Sequence, residues 1–304
     1  MGRLALLGMV LALLGFNGCA KKRQRLPVPV AGPATPAPSP VPEPSKGERA
    51  RTSASTTLTP PPGCATGPRS PWLDCLHVSD SGERLRYYLA LPAQYDGSLL
   101  PIVTVLHGSS GSGNGSGSAL NGGQRAAVDL FTREDVRQNH PSIVVVPQAE
   151  PAPGETWVRA WRAPADGDPR SKEPLVLVME LVDSLKARYP VDGRRLYLTG
   201  PSMGGFGAWL AYTRYPGRFA AIVPVCGGGD PGAVSANATA VWAFHGELDT
   251  QVPVSRAREM VSAIEAAGSS VRYSEYQGLG HNIAAKAYGE AGLVEWLFAQ
   301  HLPE

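Results

Sequence analysis

The chain has 304 residues, enough for one large domain or two small ones. Hydrophobic residues make up 43% and charged residues 18%, so a sizeable core can be buried. Lys and Arg (28) nearly balance Asp and Glu (26), and a net charge of +2 excludes the strongly basic footprint of a nucleic-acid binder. Glycine (35) and proline (29) are both in excess, concentrated in a few segments.

Leu4 to Phe16 is an apolar run preceded by Arg3. It is too short to span a bilayer as a helix but has the length of a signal-peptide core, which sets residues 1–18 as a signal peptide. The run closes on Phe16-Asn17-Gly18-Cys19-Ala20. A small residue before Cys resembles the lipobox of bacterial lipoproteins, with Cys19 as the lipidated residue; an ordinary cleaved signal peptide is the other reading. Either way the chain is expected to be exported: a lipoprotein at the membrane or cell surface, otherwise periplasmic or secreted. Its only expected contact with a membrane is that lipid anchor.

Prolines 27, 29, 33, 36, 38, 40, 42 and 44 follow. Such a stretch favours extended polyproline II and cannot build a core, so residues 19–63 are expected to be a disordered tether. Residues 64–304 are expected to form one folded domain. In an oxidising compartment Cys64 and Cys75 are plausible disulfide partners, closing a short loop at the domain entrance. Cys226 lies in an apolar run and is expected to be a buried free thiol.

From residue 84 onward strand-like and helix-like segments alternate. Predicted strands are Arg84–Leu91, Ile102–His107, Ser142–Pro147, Arg195–Thr199, Ala220–Cys226, Val241–His245 and Val271–Tyr276. Predicted helices are Glu173–Tyr189, Gly204–Tyr215, Ser255–Ala267 and Ala284–His301. Near-continuous apolar strands with helices between them predict an α/β fold: a mostly parallel, doubly wound sheet covered on both faces.

Gly200-Pro201-Ser202-Met203-Gly204 is the only G-x-S-x-G in the chain. A strand precedes it and a helix follows, the context of a nucleophile elbow. The turn is tight, so its flanking positions cannot carry bulk. Serine needs a base and an orienting acid, in the order Ser, acid, His for this kind of sheet. Three histidines follow Ser202. His301 sits near the end of the last helix and is expected to face solvent. His245 ends a strand and is expected to satisfy local loop bonds. His281 lies in a loop after the last strand and is the candidate base. Asp249, after the preceding strand, is the favoured acid over Asp230, with Glu247 nearby. The oxyanion hole needs two backbone N–H donors: Met203, and one from Gly108 or Ser109 after the strand Ile102–His107.

Residues 108–123 hold seven glycines, but no Lys occurs from 48 to 171, so a phosphate-binding P-loop is excluded. The G-x-G-x-x-G at 227–232 has too short a segment behind it for a dinucleotide unit. No zinc-type spacing is present; neither a metal nor a cofactor is expected. The same short connection, residues 227–240, leaves no room for an inserted cap. In the loop 148–172, Trp157 and Trp161 could rim a substrate ring or simply pack the loop down.

Tyr189-Pro190-Val191-Asp192, the elbow Arg195–Gly205, Pro224–Asp230, Trp242–Gly246 with Asp249 and Val252-Pro253, and Gly280-His281 together form a recognisable pattern. It resembles the predicted-peptidase and carboxylesterase branch of the α/β-hydrolases, which is similar to polyhydroxybutyrate depolymerase-like and feruloyl esterase-like enzymes. The resemblance covers about residues 84–300. It implies an α/β-hydrolase fold and a Ser202–Asp249–His281 triad cleaving carboxylic esters, polymeric or aromatic ones included. One departure is visible: members often carry Trp a few residues after the catalytic His, whereas Asn282-Ile283-Ala284-Ala285-Lys286 follows here. Peptidase action on the same triad, or a binding protein on a hydrolase scaffold, are the alternatives.

Overall fold

The structure is a computed structural model, and it describes residues 57–111, 117–149 and 173–304. The signal peptide, Cys19, Trp157 and Trp161 lie outside the described residues. Among the described residues nine strands form one sheet: β1 (Ala65–Thr66), β2 (Leu73–Val78), β3 (Arg84–Ala90), β4 (Leu100–Val105), β5 (Ile143–Gln148), β6 (Val191–Pro201), β7 (Ala221–Val225), β8 (Ala240–Gly246) and β9 (Val271–Tyr276). Their order is β1-β2-β3-β5-β4-β6-β7-β8-β9. The first three strands and the β3–β5 junction are antiparallel; everything from β5 to β9 is parallel.

The parallel part matches the expected doubly wound layout, and the alternation of side chains along each strand explains it. In β4, Leu100 and Ile102 belong to one core while Val103 and Val105 belong to the other. The first face is covered by α3 (Pro174–Arg188), α4 (Met203–Arg214) and α5 (Ser255–Ala266). The second is covered by α1 (Arg125–Thr132), α2 (Glu134–Asn139), α6 (Ala284–Tyr288) and α7 (Leu293–Ala299). With helices on both sides, β4, β5 and β7 are buried at every position. The helical stripe of α3 is fully used: Leu175, Val178, Met179, Val182 and Leu185 are all buried. Each such side chain contributes about 1.5–3 kcal/mol of transfer free energy.

Several elements depart from the sequence expectations. β1, β2, α1 and α2 have no counterpart among the predicted segments. The single helix expected over Ala284–His301 is two helices: α6 ends at Tyr288, and α7 begins after Gly292, whose φ of +77° lies outside the helical range. Cys64 and Cys75 are joined in a disulfide, which ties the chain entering β1 to β2. Residues 58–60, within the segment expected to be tether, lie on this domain. Leu58 packs on the first core, and the carbonyls of Thr59 and Pro60 accept hydrogen bonds from the Tyr189 hydroxyl and Arg188. β7 and β8 are connected by residues 226–239 with a single short 3-10 turn at Pro231–Ala233, so no cap is inserted there. Among the described residues no helix is long and apolar enough to cross a membrane.

Candidate active site

Ser202 stands between the end of β6 and the first turn of α4, with φ 55° and ψ −117°. That backbone is costly for a residue with a Cβ and is held by its surroundings. The Ser202 N–H donates to Val225 O at 2.8 Å, and its carbonyl accepts from Phe206 N–H at 3.0 Å. The two flanking glycines are required by close approach rather than by flexibility. A Cβ on Gly200 would sit 2.5 Å from the Leu106 carbonyl oxygen, and one on Gly204 2.3 Å from the same atom.

His281 is brought to Ser202 by the loop between β9 and α6; its Nε2 is 2.9 Å from Ser202 Oγ. Its Nδ1 is 2.7 Å from Asp249 Oδ2. A carboxylate can only accept, so Nδ1 carries the hydrogen and Nε2 is left as the acceptor for the serine hydroxyl. The Asp249 side chain is fully enclosed. Its other oxygen, Oδ1, accepts from the N–H groups of Gln251 and Val252, both at 2.9 Å. Asp230 is exposed, and its carboxylate accepts from Gly232 N–H in its own turn. Glu247 Oε2 accepts from Gly278 N–H, on the loop that leads to His281. His301 is exposed at the chain's end. Ser202 and His281 open into a cavity of about 220 Å³ walled by Gly108, Ser109, Cys226, Gln251 and Asn282, among others.

With this geometry established, comparison with known proteins is informative. The Esterase family model matches residues 79–266, more than half of the chain. The chain belongs to the esterase family. A poly(3-hydroxyalkanoate) depolymerase C from Paucimonas lemoignei is 27% identical over 128 residues, 42% of this chain and 28% of the relative. The crystal structure of a thermostable esterase superposes with a TM-score of 0.67 at 30% identity, covering 76% of this chain and 63% of the other. The chain therefore spans less than two thirds of each of these relatives. A ferulic acid esterase shares the fold at 18% identity and a TM-score of 0.55, covering 75% of this chain and 98% of its own. The α/β-hydrolase fold expected from the sequence is thus the fold of the family.

The loop facing Ser202 is set by two residues the sequence does not single out. His107 has no solvent exposure. Its Nδ1 donates to Gly108 O at 2.8 Å and its Nε2 accepts from Ala149 N–H at 3.0 Å. Burial pushes its pKa down from 6.5 to about 4, against the opposing pull of the Gly108 carbonyl, so the ring is neutral. Gln124, equally enclosed, accepts from Gly108 N–H at 3.2 Å and donates to Ser118 O at 3.0 Å. This corrects one expectation: the Gly108 N–H is engaged by Gln124 and is not free as an oxyanion donor. Ser109 follows it at the start of a 3-10 turn and lines the cavity. Met203 is the first residue of α4, where a backbone N–H has no acceptor within the helix. The signal for His107 and Gln124 was a polar side chain inside an apolar or glycine-rich run, which identifies the residue but not its partner.

Cys226 is free and buried, with its thiol pushed up to about 12 by burial; it is a packed wall of the cavity and not a reactive thiolate. Beneath the elbow, the Thr199 hydroxyl donates to Val223 O and accepts from Tyr288 Oη at 2.9 Å, which fastens β6 to α6. Among the described residues no group of three or more His, Cys, Asp or Glu side chains could hold a metal ion.

Proposed function

We propose that the chain is an exported serine esterase that hydrolyses carboxylic esters through an acyl-enzyme. Ser202 Oγ attacks the ester carbonyl as His281 Nε2 takes its proton. Asp249 holds the imidazolium that forms. The backbone N–H groups of Met203 and Ser109 receive the negative charge that develops on the carbonyl oxygen. His281 then gives its proton to the departing alcohol, and water activated by the same nitrogen releases the acid.

One observation carries this reading: the unbroken line from Ser202 Oγ to His281 (2.9 Å) to the enclosed Asp249 (2.7 Å), with the serine opening into a cavity. A cavity of about 220 Å³ is smaller than the roughly 300–1,000 Å³ of sites that engulf a whole ligand. It suits a short acyl group, with the alcohol portion left outside. Long or polymeric esters are compatible with that arrangement, and the names of the depolymerase and the ferulic acid esterase point to polymeric and aromatic esters as the first substrates to try. Export rests on the apolar run before Cys19, with lipid on Cys19 and residues 19–63 as spacer.

The deciding experiment is labelling with a fluorophosphonate probe alongside turnover of short aryl esters, on wild type and Ser202→Ala. Wild type should be labelled and active, and the folded variant neither. Labelling or near wild-type turnover in folded Ser202→Ala would place the nucleophile elsewhere.

A further inference from the structure

Two histidines touch the carboxylate of Asp249, and only His281 has a part in the relay proposed above. The second, His245, lies near the end of β8 with no solvent exposure. Its Nε2 is 2.9 Å from Val252 O and 3.2 Å from Asp249 Oδ2. Both neighbours are acceptors, so Nε2 must carry a hydrogen and share it between them. Nδ1 is buried and has no partner among the described residues. A proton there would be an unsatisfied buried donor, costing about 1–3 kcal/mol. The neutral ring with its hydrogen on Nε2 is the form that fits. Burial disfavours the charged ring in the same sense, ahead of the opposing effects of Val252 and Asp249. The other ionisable groups that face it are His281 and, opposite it in β9, Glu275.

The consequence lies in the geometry of the carboxylate. Val252 donates its N–H to Asp249 Oδ1 and accepts at its carbonyl from His245, so the ring grips both the acid and the peptide that cradles it. Oδ1 is held by two backbone N–H groups, while Oδ2 is shared by His281 and His245. Without His245, the only side-chain donor left on Oδ2 would be the group the acid is meant to orient.

We propose that His245 is a positioning residue for the acid: its shared Nε2–H fixes the plane of the Asp249 carboxylate so that Oδ2 faces His281 Nδ1. This rests on the reading of Asp249 as the acid. His245 does not line the cavity, so its effect belongs in kcat and not in KM.

Two neutral, polar substitutions that differ in reach test the idea. The amide nitrogen of His245→Gln can occupy the place of the imidazole Nε2. That of His245→Asn ends near the Nδ1 position, short of Asp249. The expected result is a kcat lowered about tenfold to a hundredfold in His245→Asn with KM unchanged, and a substantial part of that loss recovered in His245→Gln. In an Asp249→Asn background the difference between the two should vanish, because it acts through the carboxylate. Equal kcat for the two folded variants, or a difference that persists beside Asp249→Asn, would overturn the positioning role while the triad stands. A near wild-type kcat in Asp249→Asn alone would instead remove the triad reading, and this inference with it. Should His245→Asn not fold, nitrogen NMR of histidine-labelled wild type decides the question. A neutral Nε2–H ring at His245 from pH 7 to 9 agrees with the proposal, and a charged ring or an Nδ1–H ring in that range contradicts it.

Discussion

Acidification should loosen this protein through His107 before its carboxylates titrate. The ring sits at about 4 when folded, against 6.5 for an ordinary histidine. Between these values the unfolded chain binds a proton that the folded chain does not, so stability is intact above about pH 6.5 and falls as pH drops toward 4. At pH 5 the linkage relation gives a loss of about 2 kcal/mol, and the full separation is worth about 3 kcal/mol. His245, also shifted down by burial, adds in the same direction. For a domain of this size about 2 kcal/mol corresponds to roughly 4–8 °C in Tm. Urea unfolding of the disulfide-intact protein at pH 8, 6.5 and 5, with wild type against His107→Asn, measures it. The asparagine amide can still donate to Gly108 O but does not titrate. The variant should start less stable at pH 8, having lost the bond to Ala149 N–H, and should lose about 2 kcal/mol less than wild type on going to pH 5. Equal losses in the two proteins would refute the assignment of the acid sensitivity to this ring.

The two candidate acids separate sharply: Asp249→Asn should cut kcat about ten-thousandfold by mis-setting the His281 tautomer. Asp230→Asn, at an exposed turn, should stay within about twofold of wild type; a reversed ranking in steady-state assays moves the acid to Asp230. Gly204→Ala forces a Cβ to within 2.3 Å of Leu106 O. It should cost about 1–3 kcal/mol in urea unfolding and abolish acylation, since the elbow must shift to make room; unchanged stability and rate would contradict the close approach. Lipid on Cys19 predicts that protein from a bacterial host enters the detergent phase and Cys19→Ala does not; equal partition leaves a plain secreted enzyme.

What the sequence revealed and what it hid follow from how far each interaction reaches along the chain. The strands β4, β5, β7, β8 and the second half of β6 were legible because burial on both faces makes each a short apolar run. The elbow was legible because close packing at Gly200 and Gly204 fixes their spacing around Ser202. Chain order together with position after a strand or in a loop selected Asp249 and His281, and His281 lies within hydrogen-bond distance of both Asp249 and Ser202. β2 was missed because Asp74 and His77 interrupt its apolar pattern on a half-covered edge. α1 and α2 are short and follow a glycine-rich stretch that reads as coil. His107 and Gln124 were missed for another reason: they act on backbone atoms of Ala149 and Gly108, 42 and 16 residues away, and a backbone partner leaves no trace in side-chain identity. His245 was read as a loop-bonding residue, which its contact with Val252 supports, but its second contact depends on where Asp249 returns in space.

Five of the residues that wall the cavity beside Ser202 have little or no side chain: Gly108, Ser109, Ser110, Gly123 and Ala284. At those positions the wall is drawn by backbone, and trimming side chains can gain almost no room. Gln251 and Asn282 add to the wall side chains that can be shortened. Adding bulk at Ala284 or Ser110 narrows the cavity, whereas widening it without moving a loop is open through Gln251 and Asn282.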